Sequence, residues 1–112
     1  MPDRRTFLAA GLGAAVGLAV RPHLSQSSDV AGLTLASASR LLRTKGASAV
    51  ELTRACLGRI ETYNSTLNAF ITVTSEQALA AARQMDAELR RGNPRGPLHG
   101  IPIALKDNID TA

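Results

Sequence analysis

Lys106 is the side chain of this sequence best placed to do chemistry. It follows the apolar run Ile101-Pro-Ile-Ala-Leu105 and precedes Asp107 and Asn108. The run has the length and the unbroken apolar character of a strand buried on both faces. A lysine at the end of such a strand is partly stripped of water, which disfavours the ammonium form and can turn the amine into a general base near neutral pH. The residues alone leave a simpler reading open, in which Lys106 marks the wet end of the strand with Asp107 as its ion-pair partner. Cys56 is the one cysteine, so neither an internal disulfide nor a structural zinc site, which needs four Cys or His ligands, is available. It falls in the apolar stripe of a predicted helix, where packing explains it better than reactivity.

The segment before Lys106 holds Gly92, Pro94, Gly96, Pro97, Gly100 and Pro102. Glycine and proline at this density forbid a helix and impose a tight, extended course, so a structured loop is expected to deliver the strand. Three helices are expected to carry that loop. The first has Thr34 as N-cap, Leu35, Ala38, Leu41 and Leu42 at helical spacing, and Gly46 as its stop after Arg43 and Lys45. The second opens on the capping box Ser48-Ala-Val-Glu51, runs to about Asn64, and buries Ala49, Leu52, Thr53, Cys56, Ile60 and Tyr63. Ala69-Phe-Ile-Thr-Val73 reads as extended. A second capping box, Thr74-Ser-Glu-Gln77, then opens a helix from about Ser75 to Arg91 that ends at Gly92. Its apolar face is Ala78, Ala81, Ala82, Met85 and Leu89, and its wet face Arg83, Asp86, Glu88 and Arg90. Asn64-Ser-Thr66 fits a glycosylation sequon, but no such role is expected of it.

The first 22 residues read as an export signal. Arg4-Arg5-Thr-Phe7-Leu8 leads into an apolar stretch ending at Val20, and Phe7 to Val20 is 14 residues. A membrane-crossing helix needs about 20, so no permanent anchor is expected. The paired arginines resemble the twin-arginine address for export of folded proteins, with Asp3 and Ala9 where that pattern normally has Ser or Thr and Lys. Cleavage after Ala19 is the best-spaced option. Residues 23–32, with Ser25, Gln26, Ser27, Ser28 and Asp29, read as linker. The whole chain of 112 residues carries a formal charge of +4, yet beyond Arg21 it has ten basic against eight acidic residues. No basic cluster is interleaved with aromatics, which excludes a dedicated nucleic-acid binder. With Phe7, Tyr63 and Phe70 as the whole aromatic complement, a thin core is expected, as in part of a larger domain.

The run Gly96-Pro-Leu-His-Gly-Ile-Pro-Ile-Ala-Leu-Lys106-Asp-Asn-Ile-Asp110 resembles the opening motif of the amidase signature family, the Ser-cisSer-Lys amide hydrolases. The likeness extends upstream through Leu67-Asn-Ala-Phe-Ile-Thr72 and the helix containing Ala81-Ala-Arg83, and covers the chain from about residue 33 to its end. It implies an α/β fold, a mixed central sheet covered by helices, of which residues 33–112 would supply the N-terminal helices and the first core strand. It implies that Lys106 is the triad base. That lysine would deprotonate a serine on a cis peptide, which activates a nucleophilic serine for attack on an amide carbonyl beside an oxyanion hole of backbone donors. Asp107 and Asn108 would hold the lysine and nearby loops, and His99 would serve as a loop hydrogen bonder. No cofactor and no metal is implied. The expected partners are a small amide substrate for the full-length parent and the twin-arginine export machinery.

Both triad serines follow the lysine motif in that family, whereas this chain ends six residues past Lys106. None of Ser25, Ser27, Ser28, Ser37, Ser39, Ser48, Ser65 or Ser75 has the Gly-Ser-Ser context that would replace them. The expectation is therefore the N-terminal fragment of an exported amidase, itself inactive. Two alternatives stand beside it. One is the glutamine-hydrolysing subunit of a tRNA-dependent amidotransferase, which shares the motif but works where charged tRNA is, in the cytoplasm. The other is a non-enzymatic exported helical binding module, which would have no evident need to end on a buried strand and a lysine.

Overall fold

The computed structural model describes residues 30–110. The expected signal peptide with its arginine pair, its cleavage position and most of the linker lie outside the described residues. Three α-helices follow in order: α1 (Leu35–Arg43), α2 (Ala49–Leu67) and α3 (Ser75–Arg90).

Each helix begins and ends for a local reason. Thr34 and Ser48 both sit in the extended region, with ψ of 156° and 158°, which swings the side-chain oxygen over the first turn. Thr34 Oγ1 accepts from the Ser37 N–H at 3.2 Å. At Ser48 the capping box is complete: Oγ accepts from the Glu51 N–H at 3.1 Å, and the Ser48 N–H donates to Glu51 Oε2 at 2.8 Å. The capping box expected at Thr74 does not form. Its ψ is 58°, outside the extended region that Thr34 and Ser48 occupy, and no side-chain bond caps α3.

At the other ends the chain reverses through left-handed residues. Gly92, at φ +78°, closes α3 with paired bonds from the Gly92 N–H to Leu89 O and from the Asn93 N–H to Glu88 O. The same double closure ends α1, but the left-handed residue there is Lys45 (φ 57°), while the expected stop, Gly46, takes the next position and donates to Leu41 O at 2.8 Å. α2 runs three residues past the expected end at Asn64, to Leu67, and stops at left-handed Asn68. Asn64 instead clamps the returning chain, accepting from the Phe70 N–H at 2.8 Å and donating to the Phe70 carbonyl at 3.0 Å.

The core lies where α1, α2 and α3 meet and consists of Ala38, Leu42, Ala49, Leu52 and Ala82, with Met85, Leu89 and Ile101 half-buried against it. The small side chains let the helices approach closely and leave little apolar bulk between them. The apolar stripe of α2 is buried only in its first half. Ala49, Leu52 and Thr53 are covered, Cys56 and Ile60 are half-buried, and Tyr63 is 54% exposed.

The one strand expectation fails among the described residues, which contain helices and no strand. Ile101 to Leu105, expected to be buried on both faces, leaves Ile103 74% and Leu105 57% exposed. A strand satisfies its backbone through neighbouring strands and buries both faces under other layers, and no described residues provide either. Ala69 to Val73, expected to be extended, joins α2 to α3 without regular structure, with Ile71 and Val73 exposed.

Candidate active site

The loop between α3 and Lys106 is fixed to all three helices before it is released. Its first tie is the pair between Arg95 and Glu88 on α3, bidentate, with Arg95 Nε 2.6 Å from Glu88 Oε2 and Nη2 bonded to Oε1. The guanidinium holds the Glu88 carboxyl down at about 2, well below the ordinary carboxylate range. The next tie runs from α1: the buried Ser39 hydroxyl donates to the Pro97 carbonyl at 2.7 Å. His99 uses both ring nitrogens. Nδ1 accepts from the Arg95 N–H at 3.1 Å, and Nε2 lies 2.8 Å from the Met85 carbonyl, which assigns the hydrogen to Nε2. His99 is thus the loop hydrogen bonder that the sequence suggests, with no free nitrogen for base chemistry in this arrangement.

Gly100 completes the anchorage. It is left-handed at φ +77°, and a Cβ there would stand 3.0 Å from the Ala49 Cβ and 3.4 Å from a Leu42 methyl. Only glycine lets the chain turn this tightly against the crossing of α1 and α2. Backbone bonds from the His99 N–H to Gly96 O and from the Ile101 N–H to Leu98 O tighten the turn on the loop side.

Asp86 secures the platform beneath. Expected on the wet face of α3, it instead reaches the N-terminus of α2, where Oδ1 accepts from the Ala49 N–H at 2.7 Å and Oδ2 from the Val50 N–H at 3.2 Å. A carboxylate there meets two donors that have no partner within the helix and the positive end of its dipole. The spacing carries a signal for this role: Asp86 is four residues after Ala82 and three before Leu89, on the flank of the buried stripe. Ser39 likewise follows Ala38 on the buried side of α1. Sequence reasoning thus misses Ser39, Asp86 and the Glu88–Arg95 pair as the groups that tie the loop and α2 down.

Past Ile101 the ties cease. Lys106 is 77% exposed at its side chain, and its ion-pair partner among the described residues is Asp107 at 3.8 Å. This is the simpler of the two arrangements the sequence leaves open, and the desolvation that would make the amine a base is not supplied by the described residues. A turn closed by the Ile109 N–H on Lys106 O sets the lysine at the start of a reversal. Between α2, α3 and the loop lies an open apolar groove of about 590 Å³, bordered by Thr53, Ala78, Ala82, Met85, Leu98 and Ile103. A smaller one of about 220 Å³ continues over Cys56, Ile60, Phe70 and Val73. Burial pushes the Cys56 thiol up, and Arg59 only partly offsets it, so the thiolate is disfavoured and packing is its role here. Among the described residues no group of three or more His, Cys, Asp or Glu is placed to hold a metal ion, and no helix is long and apolar enough to cross a membrane.

Known proteins are similar to this chain over most of its length. A subunit of glutamyl-tRNA(Gln) amidotransferase from Chloroflexus aurantiacus is 48% identical over 79 residues, which is 70% of this chain and 16% of that protein. An amidase of Pseudomonas putida is 41% identical over 85 residues, 76% of this chain and 18% of that protein. The corresponding glutamyl-tRNA(Gln) amidotransferase subunit of Sinorhizobium fredii is 46% identical over 83 residues, 74% of this chain and 17% of that protein. The chain therefore spans about a sixth of the length of these relatives. No solved structure matches it. The family model Amidase matches residues 51–112, more than half of the sequence, from the first turn of α2 through Lys106, and the chain belongs to the amidase family.

Proposed function

We propose that this chain forms the N-terminal part of an exported amidase and contributes Lys106 as the base of a Ser-cisSer-Lys triad. The observation that carries the reading is the family match through Gly96 to Asp110, which includes a lysine at the end of an anchored loop with Asp107 beside it. In the proposed reaction the Lys106 amine takes a proton from a serine on a cis peptide. That serine takes the proton of the nucleophilic serine as its oxygen attacks the amide carbonyl carbon. The proton returns to the departing amine, and water then releases the acid from the acyl-enzyme. Both serines would come from the parent protein, and its sheet would cover Ile103 and Leu105 and withdraw Lys106 from water. The substrate is a carboxylic amide, and no cofactor or metal takes part.

The test is the reading frame beyond codon 112 and its product. A frame encoding a Gly/Ser-rich segment with two suitable serines, whose product loses amide turnover in Lys106→Ala, supports the reading; a frame without them refutes it. The 112-residue chain alone is expected to match buffer on a panel of simple amides and esters. Turnover abolished by Lys106→Ala in that chain would place the nucleophile within it.

Export is the second half of the reading and rests on Arg4-Arg5 with the apolar stretch after it. A reporter fused after Asp29 should leave the cytoplasm, and changing both arginines to lysine should retain it. Continued export in cells without the twin-arginine pathway would refute that route. The names of the relatives favour a second reading, the glutamine-hydrolysing component of a tRNA-dependent amidotransferase. Cytoplasmic retention of the same reporter would favour it over an exported amidase.

A further inference from the structure

His99 does something that a hydrogen-bonded side chain of fixed charge could not. Its Nδ1 is an acceptor for the Arg95 N–H, and only a neutral ring has an acceptor nitrogen. Its Nε2–H donates to the Met85 carbonyl, which either protonation state allows. Protonation therefore removes one of the two bonds and sets two N–H groups against each other at Arg95, four residues earlier in the same loop. We propose that His99 is a pH-sensitive latch, in which the neutral ring closes the loop leading to Lys106 and the protonated ring opens it at Arg95 while keeping its hold on α3.

The surroundings leave the ring free to act in this way. Ser39 faces the loop from α1 and Ala49 and Thr53 from α2, all uncharged. From α3 the charged group beside the ring is Glu88, which attracts an imidazolium, but both of its oxygens are already held by Arg95. Asp86, next to Met85, is taken up by the α2 N-terminus. Glu88 and Arg95 thus form a neutral pair beside the ring, and Arg95 is the residue displaced when Nδ1 gains its proton. Opening at Arg95 loosens the Gly96–His99 and Leu98–Ile101 turns that aim the chain toward Lys106. The latch stands independently of the amidase reading; its consequence for catalysis rests on that reading.

The experiment uses the 112-residue chain labelled with nitrogen-15. Imidazole spectra at neutral pH should show the hydrogen of His99 on Nε2. As the ring is titrated with acid, the Arg95 amide should shift with the same midpoint, and its exchange, relative to the intrinsic chemical rate, should rise about tenfold, the worth of one lost hydrogen bond. His99→Gln supplies one acceptor and one donor that do not titrate, and should keep the Arg95 amide protected across the same range. The proposal is overturned by a hydrogen on Nδ1, by an Arg95 amide indifferent to the titration, by the same pH step persisting in His99→Gln, or by an Arg95 amide unprotected at neutral pH.

Discussion

Removing the carboxylate of Asp86 should detach the start of α2 from α3. In Asp86→Ala the Ala49 and Val50 N–H groups lose charge-assisted bonds of 2.7 and 3.2 Å. Such bonds are worth about 1.5–3 kcal/mol each, and the favourable placement of a charge at a helix N-terminus is already contained in that figure. The second bond is long, and water can replace it at half-buried Val50. Ala49 is 1% exposed, so its N–H is left buried without a partner. The combined loss is about 3 kcal/mol, which lowers the protection of these two amides against hydrogen exchange roughly 100-fold. Asp86→Asn keeps one acceptor but neither the charge nor the second bond, and should lose about half as much. Glu51→Ala, at the solvent side of the same helix end, should cost only about 1 kcal/mol and leave the α2–α3 contact intact. Amide exchange read by NMR in the parent and the three variants tests the ordering. Protection of Ala49 in Asp86→Ala within threefold of the parent would refute the reasoning.

Lys45→Gly should raise stability by about 0.5–1 kcal/mol, since a left-handed residue with a Cβ becomes one without; an unchanged urea midpoint would contradict this. Gly100→Ala should do the reverse and cost about 1–3 kcal/mol, because the methyl meets Ala49 at 3.0 Å on a backbone already at φ +77°, and the Ile101 amide should lose its protection. The Glu88–Arg95 pair gives a pH dependence whose sign follows from the lowered carboxyl. Its contribution is fully present above the ordinary value of 4.5 and fades as pH falls from there through about 2, so the parent and Arg95→Ala should differ in stability at neutral pH and converge near pH 2. A difference that persists undiminished at pH 2 would show that Arg95 acts through packing.

What the sequence disclosed and what it hid differ in the distance over which the bonds are made. The Ser48–Glu51 box and the Thr34 cap are settled within four residues, and both formed where the residue types indicated. The failure at Thr74 came from a backbone angle that no residue type dictates, and the end of α1 slipped by one because Lys45 took the turn that Gly46 was expected to make. Asp86 reads as wet on its own helix and is engaged only once α2 lies alongside, so its role depends on a residue 37 positions earlier. Ile101 to Leu105 has the composition of a buried strand, but burial belongs to neighbours, and composition states only what a segment would do if they were present. Lys106 was legible as a motif residue. Its environment was not, because desolvation comes from other segments.

The ties that hold this scaffold end mostly on main-chain atoms. Ser39 reaches the carbonyl of Pro97, His99 the carbonyl of Met85 and the N–H of Arg95, Asn64 both backbone groups of Phe70, and Asp86 the N–H of Val50. A backbone group is present whatever side chain stands there, so each tie constrains one partner's identity and leaves the other's open. A saturating mutational scan should therefore be lopsided. Ser39, Asn64, Asp86 and His99 should accept few replacements, while Val50 and Phe70, at the receiving ends, should accept many of similar bulk. For anyone redesigning the approach to Lys106, the anchorage is written into four polar residues on the helices and the loop, and these are the positions to keep.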